Sequence, residues 1–174
     1  MRFNKTSKML YMSLLVAMAL ILYIFEGMIP VPFITPGAKL GLANLVIMIS
    51  VYTLDSYKDS FLVLLLRLLL STILGGSIST LLYSAAGGLL SFAIIVLVKE
   101  LGGKYVSIIG VSASAAVFHN IGQLFVASLI LENFGVFLYL PVLSLAGIGT
   151  GIFVGLSANY LLSYLRKIPY FRTN

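Results

Sequence analysis

LLLRLLL, residues 64–70, places one arginine at the centre of an unbroken leucine run. Apolar runs of this kind fill the chain: of its 174 residues, 60% are hydrophobic and 9% are charged, whereas an ordinary soluble domain is about 25% charged. A water-bounded fold of this size cannot hide so much apolar surface, because a large part of its area must still face solvent. We therefore predict a membrane protein whose solvent is mostly lipid.

Six apolar segments predict an all-α bundle of six transmembrane helices in a single domain, residues 1–174. The predicted spans cover about residues 9–29, 39–54, 60–74, 77–98, 105–131 and 138–165. The prolines of PVPFITPG cannot continue a helix, so residues 30–37 are predicted to form a stiff loop after span 1. Spans 2 and 3 are short, and the alternative for them is a hairpin buried among the other helices.

The basic residues predict the orientation of the bundle. Nine of the eleven lysines and arginines flank the spans on one side, together with both termini, and the positive-inside rule makes that side cytoplasmic. The net charge of +6 is interpreted as this topology signal and not as a nucleic-acid surface, because the basic residues are scattered at segment ends. The apolar run after MRFNKTSK is predicted to be a retained first span, since no A-x-A-like cleavage site follows it.

Arg67 is the clearest polar residue that topology does not explain. A charge near the middle of a bilayer costs at least ~2.5 kcal/mol, so it usually faces the interior of the bundle. One interpretation is a structural pair with a carbonyl or carboxylate of a neighbouring helix. The other is an anion contact for the phosphate, carboxylate or polarised carbonyl of a ligand.

VFHNIGQLF, residues 117–125, adds three polar side chains to span 5. His119, the only histidine of the chain, and Gln123 are four residues apart and share a helix face, which Asn120 flanks. Interhelical hydrogen bonding and the wall of a polar cavity both explain them. A metal site is not expected, because no second histidine and no cysteine is available to join His119.

Span 2 opens with PGAKLGLANL, residues 36–45, at the outer mouth of the bundle. Lys39 either snorkels to the interface or acts as a gate over the cavity, and Glu26 at the outer end of span 1 is a potential partner for it. In span 4, Tyr83 and the pair Gly87-Gly88 allow either close helix packing or room for a flat ligand. The glycines at 147, 151 and 155 of span 6 predict a helix-packing face.

These polar residues predict a ligand pocket that opens outward beneath the loop of residues 30–37. The predicted substrate-binding residues come from five spans: Glu26, Lys39, Asn44, Arg67, Tyr83, His119, Asn120 and Gln123.

PGAKLGLANL (36–45), the arginine of span 3, LYSAAGGLLS (82–91) and GVSASAAVFHNIGQL (110–124) resemble, in that order, the Gx transporter family, also called heptaprenyl diphosphate synthase component I. That family is similar to the S components of energy-coupling factor (ECF) transporters. The resemblance implies a six-helix, multi-pass protein of a prokaryotic plasma membrane, with a first outer loop that closes over a vitamin-like ligand. It also implies partners, namely a transmembrane coupling subunit and two cytoplasmic ATPases. The alanine-x-x-x-alanine docking face of S components has only Ser13 and Ala17 as its nearest match.

Intrinsic prenyltransferase activity is not expected, because chain elongation needs clustered aspartates to hold Mg²⁺ on a diphosphate. The chain has two aspartates, both in DSYKD (55–59), at a spacing that favours a solvated turn. We therefore predict a non-enzymatic subunit that captures a flavin-, quinone- or prenyl-type ligand. ATP hydrolysis would fall to partners, since no G-x-x-x-x-G-K-[ST] loop is present.

Two alternatives remain from the sequence. In the first, the chain is a quinone- or flavin-associated membrane subunit of an electron-transfer system, with flavin-dependent redox proteins as partners and His119 hydrogen-bonded to a quinone carbonyl. In the second, it is a purely structural subunit.

Overall fold

The structure is a computed structural model that describes residues 4–28, 41–74, 77–103 and 105–168. It consists of six α-helices and one 3₁₀ helix, without strands in these ranges, which confirms the all-α prediction. The helices are α1 (Lys5–Met28), α2 (Asn44–Thr53), α3 (Tyr57–Ile73), α4 (Ile78–Gly102), α5 (Ile108–Ile130) and α6 (Leu140–Leu165), with the 3₁₀ helix (Phe134–Tyr139) directly before α6.

Four helical segments are long and apolar enough to cross a membrane: α1, α4, α5 and the continuous stretch Phe134–Leu165. The ten residues of α2 extend only about 15 Å at a rise of ~1.5 Å per residue, and the hydrocarbon core is ~30 Å thick. This helix therefore cannot cross the bilayer alone. For α2 the structure agrees with the buried-segment alternative, and the six-span topology stays a prediction.

Span 2 was predicted to start at residue 39. Within the described residues, which resume at residue 41, this prediction was wrong. The helix begins at Asn44, because Gly41 has a left-handed φ of 86° that interrupts helical backbone. The predicted loop of residues 30–37 and the candidate gate Lys39 lie outside the described residues.

Serine residues cap the N-termini of three helices. Ser56, Ser77 and Ser107 precede α3, α4 and α5, and each hydroxyl accepts a hydrogen bond from a backbone N–H of the first helical turn. These N–H groups have no partner inside the helix, and such a cap stabilises a helix by ~1 kcal/mol. The local sequence thus fixes where these three helices start.

The short helix α2 lies in the middle of the bundle, in contact with α1, α3, α4 and α6. Every residue from Val46 to Val51 is buried. On the other side of the bundle, α5 and α6 pack closely through the predicted glycine face. A Cβ added to Gly151 would lie 2.6 Å from the Cα of Ala113, so the backbones approach as only glycine permits.

We call the end of the bundle that carries Lys8 and Lys99 the inner end, since these lysines are among the residues predicted to be cytoplasmic. Polar contacts join the helices there. Lys8 forms an ion pair with Asp59 at 2.8 Å, and the Lys99 Nζ donates to the Val51 carbonyl at 2.7 Å while lying 4.8 Å from the centre of the Tyr52 ring.

Candidate functional site

A buried group of polar side chains from four helices lies near the middle of the bundle. We call it the central polar cluster; its members are Asn44 of α2, Arg67 of α3, Ser91 of α4, and His119 and Gln123 of α5. Arg67 and His119 are each only 2% exposed. The guanidinium and the imidazole thus converge inside the bundle and neither points at lipid.

Asn44, the first residue of α2, connects the other members of the cluster. Its Oδ1 accepts a hydrogen bond from the Arg67 guanidinium at 3.3 Å. Its Nδ2 donates to the Ser91 hydroxyl at 3.2 Å and lies 3.1 Å from the Nδ1 of His119. One short amide therefore links α2 with three neighbouring helices.

Both ring nitrogens of His119 have neighbours. The Nδ1 faces Asn44, and the Nε2 lies 3.0 Å from the amide of Gln123, one turn further along α5. The ring lies against Gly87 of α4, where an added Cβ would come within 2.8 Å of the imidazole Cε1. Glycine at 87 thus makes room for the ring, which two amides hold by its edges.

The outer end of α1 reaches the same cluster. The carboxylate of Glu26 accepts a hydrogen bond from the backbone N–H of Gly41, and both Glu26 and Tyr23 interact electrostatically with Arg67. A Cβ on Gly41 would lie 3.5 Å from the His119 ring. The turn before α2 therefore lies directly over the cluster.

Two of the predicted site residues are buried elsewhere. The Asn120 side chain points toward α6, where it donates to the Leu143 carbonyl at 2.6 Å. Tyr83 belongs to a separate apolar cluster with Leu124, Ala127 and Val136. The structure therefore brings Asn44, Arg67, His119 and Gln123 together, with Glu26 at the edge. The ligand-binding role of all these residues stays a prediction.

Sequence reasoning missed Ser91 and Gly41. Ser91 follows Gly87 by four residues, so a helix reading of span 4 places it on the face that meets His119. Gly41 carried no signal, because a glycine with a left-handed backbone cannot be distinguished in sequence from a glycine inside a helix.

Two cavities border this part of the molecule. The first, about 10 Å³, holds about one water molecule and is lined by Gly41, Asn44, Ser91, Ser112 and Thr150 among others. The second, about 510 Å³, lies between α4 and α5, has an apolar lining that includes Leu89, Gly122 and Phe125, and shares no residue with the central polar cluster.

Comparison with known proteins identifies the family. The family model for heptaprenyl diphosphate synthase component I matches residues 15–161. The chain belongs to this family. The match confirms the resemblance to the Gx transporter-like family, and the matched range contains the whole central polar cluster. No curated protein and no solved structure matches the chain.

The family description refers to a component of a synthase. In this component I chain, Asp59 is paired with Lys8 at the inner end and is not a member of the central polar cluster. Within the described ranges, no three His, Cys, Asp or Glu residues are grouped as a metal site would need. Membership of the family and an apolar helical bundle with four candidate spans make the chain a multi-pass membrane protein.

Proposed function

We propose that this component I chain is the substrate-capture subunit of an uptake system. It binds a small molecule from the outer side at the central polar cluster and passes it inward with the help of partner subunits. The observation that carries the proposal is the meeting of Arg67, Asn44 and His119, from three different helices, in one buried cluster.

The unsatisfied hydrogen-bond donor of Arg67 favours a ligand-binding role over a purely structural one. Its NH1 donates to Asn44, but its Nε is buried and has no hydrogen-bond partner among the described residues. An unsatisfied buried donor costs ~1–3 kcal/mol, and more when the group is charged. Joining helices does not require this unsatisfied donor, whereas a ligand oxygen would satisfy it.

The chemistry of the cluster defines the expected ligand class. The guanidinium calls for an anionic or carbonyl oxygen, and the apolar bundle around it favours a ring or an apolar body. A flavin, a quinone precursor or a prenyl phosphate meets both requirements. The sequence holds no phosphate-binding loop for ATP, so the proposal includes a transmembrane coupling subunit and cytoplasmic ATPases as partners.

The electron-transfer alternative needs His119 to contact a quinone carbonyl. In the structure, Asn44 and Gln123 lie at hydrogen-bond distance from the two ring nitrogens. A quinone would have to displace one of these amides, whereas a ligand at Arg67 displaces neither. This difference favours capture of a small molecule.

Native mass spectrometry of the gently purified protein tests the proposal. We expect the wild type to retain a vitamin-sized molecule, Arg67→Met to lose it, and Lys99→Met at the inner end to keep it. Retention of a menaquinone-type lipid would support the electron-transfer alternative instead. A wild type that retains no small molecule, and whose thermal stability no flavin, quinone precursor or prenyl phosphate raises, would overturn the proposal in favour of a structural subunit.

A further inference from the structure

The smaller of the two cavities lies where four helices meet. Its lining comes from α2 with the turn before it, α4, α5 and α6, and nine of its eleven lining residues are buried. Its volume is about 10 Å³, whereas a buried water requires roughly 10–15 Å³ and about two to four polar partners. Size therefore limits the occupant to something as small as one water, and the polar lining decides whether it binds.

Ser112 of α5 is a buried polar group in need of a partner. It lines the cavity and is 2% exposed, and its hydroxyl forms no hydrogen bond with any described residue. Other buried serines turn back onto their own helix: Ser50, Ser71 and Ser128 each donate to the carbonyl three residues earlier. A buried hydroxyl costs free energy unless it is hydrogen-bonded. The space that Ser112 borders is therefore expected to hold its partner.

Two further hydroxyls on the cavity wall have hydrogen-bonding capacity left. A hydroxyl has one donor and two acceptor sites. Ser91 of α4 uses one of them with the Asn44 amide at 3.2 Å, so it can form another bond whichever end of that amide it meets. Thr150 of α6 donates to the Gly147 carbonyl at 3.1 Å and keeps its acceptor sites. Together with Ser112, these groups supply the number of partners that a buried water needs.

The charges around the cavity favour a neutral occupant over a cation. Its described lining contains no aspartate or glutamate. Asn44, which does line it, is hydrogen-bonded to the guanidinium of Arg67. A buried cation requires an opposite charge, and here the nearest charged partner of the lining is itself positive. Water both donates and accepts, so it suits three hydroxyls without any charge.

We infer that one water molecule is bound between Ser91, Ser112 and Thr150, and that it joins α6 to the central polar cluster. The bonds of Asn44 link the cluster across α2, α3, α4 and α5. The water extends these bonds through Ser91 to Thr150, on the sixth helix. The inference goes beyond the proposed function, because the water is expected whether or not a ligand binds.

Met48 lines the same cavity and reports the water. X-ray radiolysis of water generates hydroxyl radicals, which oxidise a methionine beside a bound water even where bulk solvent does not reach, and mass spectrometry counts the added oxygen. Met12 is the control, because it is 7% exposed against 1% for Met48 and does not line the cavity. We expect more oxidation of Met48 than of Met12 in the purified wild type. Oxidation of Met48 that does not exceed that of Met12 would overturn the inference.

Matched substitutions test the role of the hydroxyls. The double variant Ser112→Ala/Thr150→Val leaves Ser91 as the water's one hydroxyl partner, and apolar cavities stay dry, so we expect Met48 oxidation to fall to the level of Met12. Ser128→Ala removes a buried hydroxyl of α5 that does not line the cavity, so we expect wild-type oxidation. A double variant with wild-type oxidation of Met48 would overturn the role of Ser112 and Thr150. If that variant does not fold, the wild-type comparison of Met48 with Met12 still decides whether water is bound.

Thermal denaturation in sodium, potassium or choline chloride separates water from a cation. We expect the same denaturation temperature in all three salts at equal ionic strength. A higher temperature in sodium or potassium than in choline would overturn the assignment of water in favour of a cation. If Met48 is oxidised as expected and native mass spectrometry finds no retained ligand, the proposed function fails while the bound water stands.

Discussion

The central polar cluster and the inner end of the bundle are both built from polar contacts between helices, but they differ in their surroundings. At the inner end the ion pair of Lys8 and Asp59 is partly exposed, with 32% and 19% of the two side chains accessible. In the cluster, Arg67 and His119 are almost completely enclosed. Bulk water and lipid headgroups are available to the first set of groups, whereas the bundle encloses the second.

This difference separates polar residues that stabilise a helix end from those that require another explanation. An interfacial lysine can turn to solvent when its partner is lost, so its contacts contribute little. An enclosed arginine cannot turn to solvent. Its charge in the middle of LLLRLLL also raises the free energy of inserting this segment into the membrane. The topology of the bundle therefore explains the polar residues of the inner end. It does not explain the central polar cluster, which is the part of the molecule to which a function is assigned.

Arg67→Met should give the largest effect on stability. Removing one member of a buried charged pair typically costs ~3–5 kcal/mol, and Glu26 would lose the positive charge with which it interacts. We expect a marked fall in thermal denaturation temperature in detergent, and partial recovery in the double variant with Glu26→Gln. An unchanged denaturation temperature would show that Arg67 contributes as little to stability as the partly exposed residues of the inner end.

Gly87→Ala tests how tightly the His119 ring is held. The new methyl group would meet the imidazole at 2.8 Å, and overpacking of this kind costs ~1–3 kcal/mol. Gly149→Ala is the control, because a Cβ at Gly149 meets no atom within 4 Å. We expect thermal denaturation to show a loss for the first variant and little change for the second; equal effects would show that the ring moves freely aside.

Asn120→Ala should have a smaller effect that is confined to helix packing. It removes the bond to the Leu143 carbonyl, and interhelical hydrogen bonds in membranes are worth ~0.6 kcal/mol on average. We expect a slight loss of thermal stability and undiminished retention of the bound molecule in native mass spectrometry. Loss of that molecule would instead restore Asn120 to the predicted ligand contacts.

The smallest effect belongs to the ion pair of the inner end. A double-mutant cycle of Lys8→Ala and Asp59→Ala should give a coupling free energy of ~0.2–1 kcal/mol that decreases as salt is added. Thermal denaturation at low and high ionic strength measures it. A coupling above this range that salt does not reduce would remove the contrast between the two regions.

The length of the apolar runs predicted most of the helices, because a segment such as α4 or α5 must stay apolar along its length to cross lipid. It failed at the start of α2, where Gly41 leaves the helical region. Spacing along α5 also placed His119 and Gln123 on one face correctly. It could not separate Asn120 from them, because only the packing of α6 shows that this side chain points to Leu143.

The sequence by itself determined that this chain is a membrane protein with costly polar groups among its apolar segments, since composition and hydropathy do not depend on how the helices pack. Only the tertiary structure decided which of those groups meet. Asn44, Arg67 and His119 are separated by 23 and 52 residues along the chain, and a hydrogen bond between them exists only after α2, α3 and α5 are packed side by side. Hydrogen bonds have a range of about 3 Å, so these contacts arise from packing and not from any local pattern of residues.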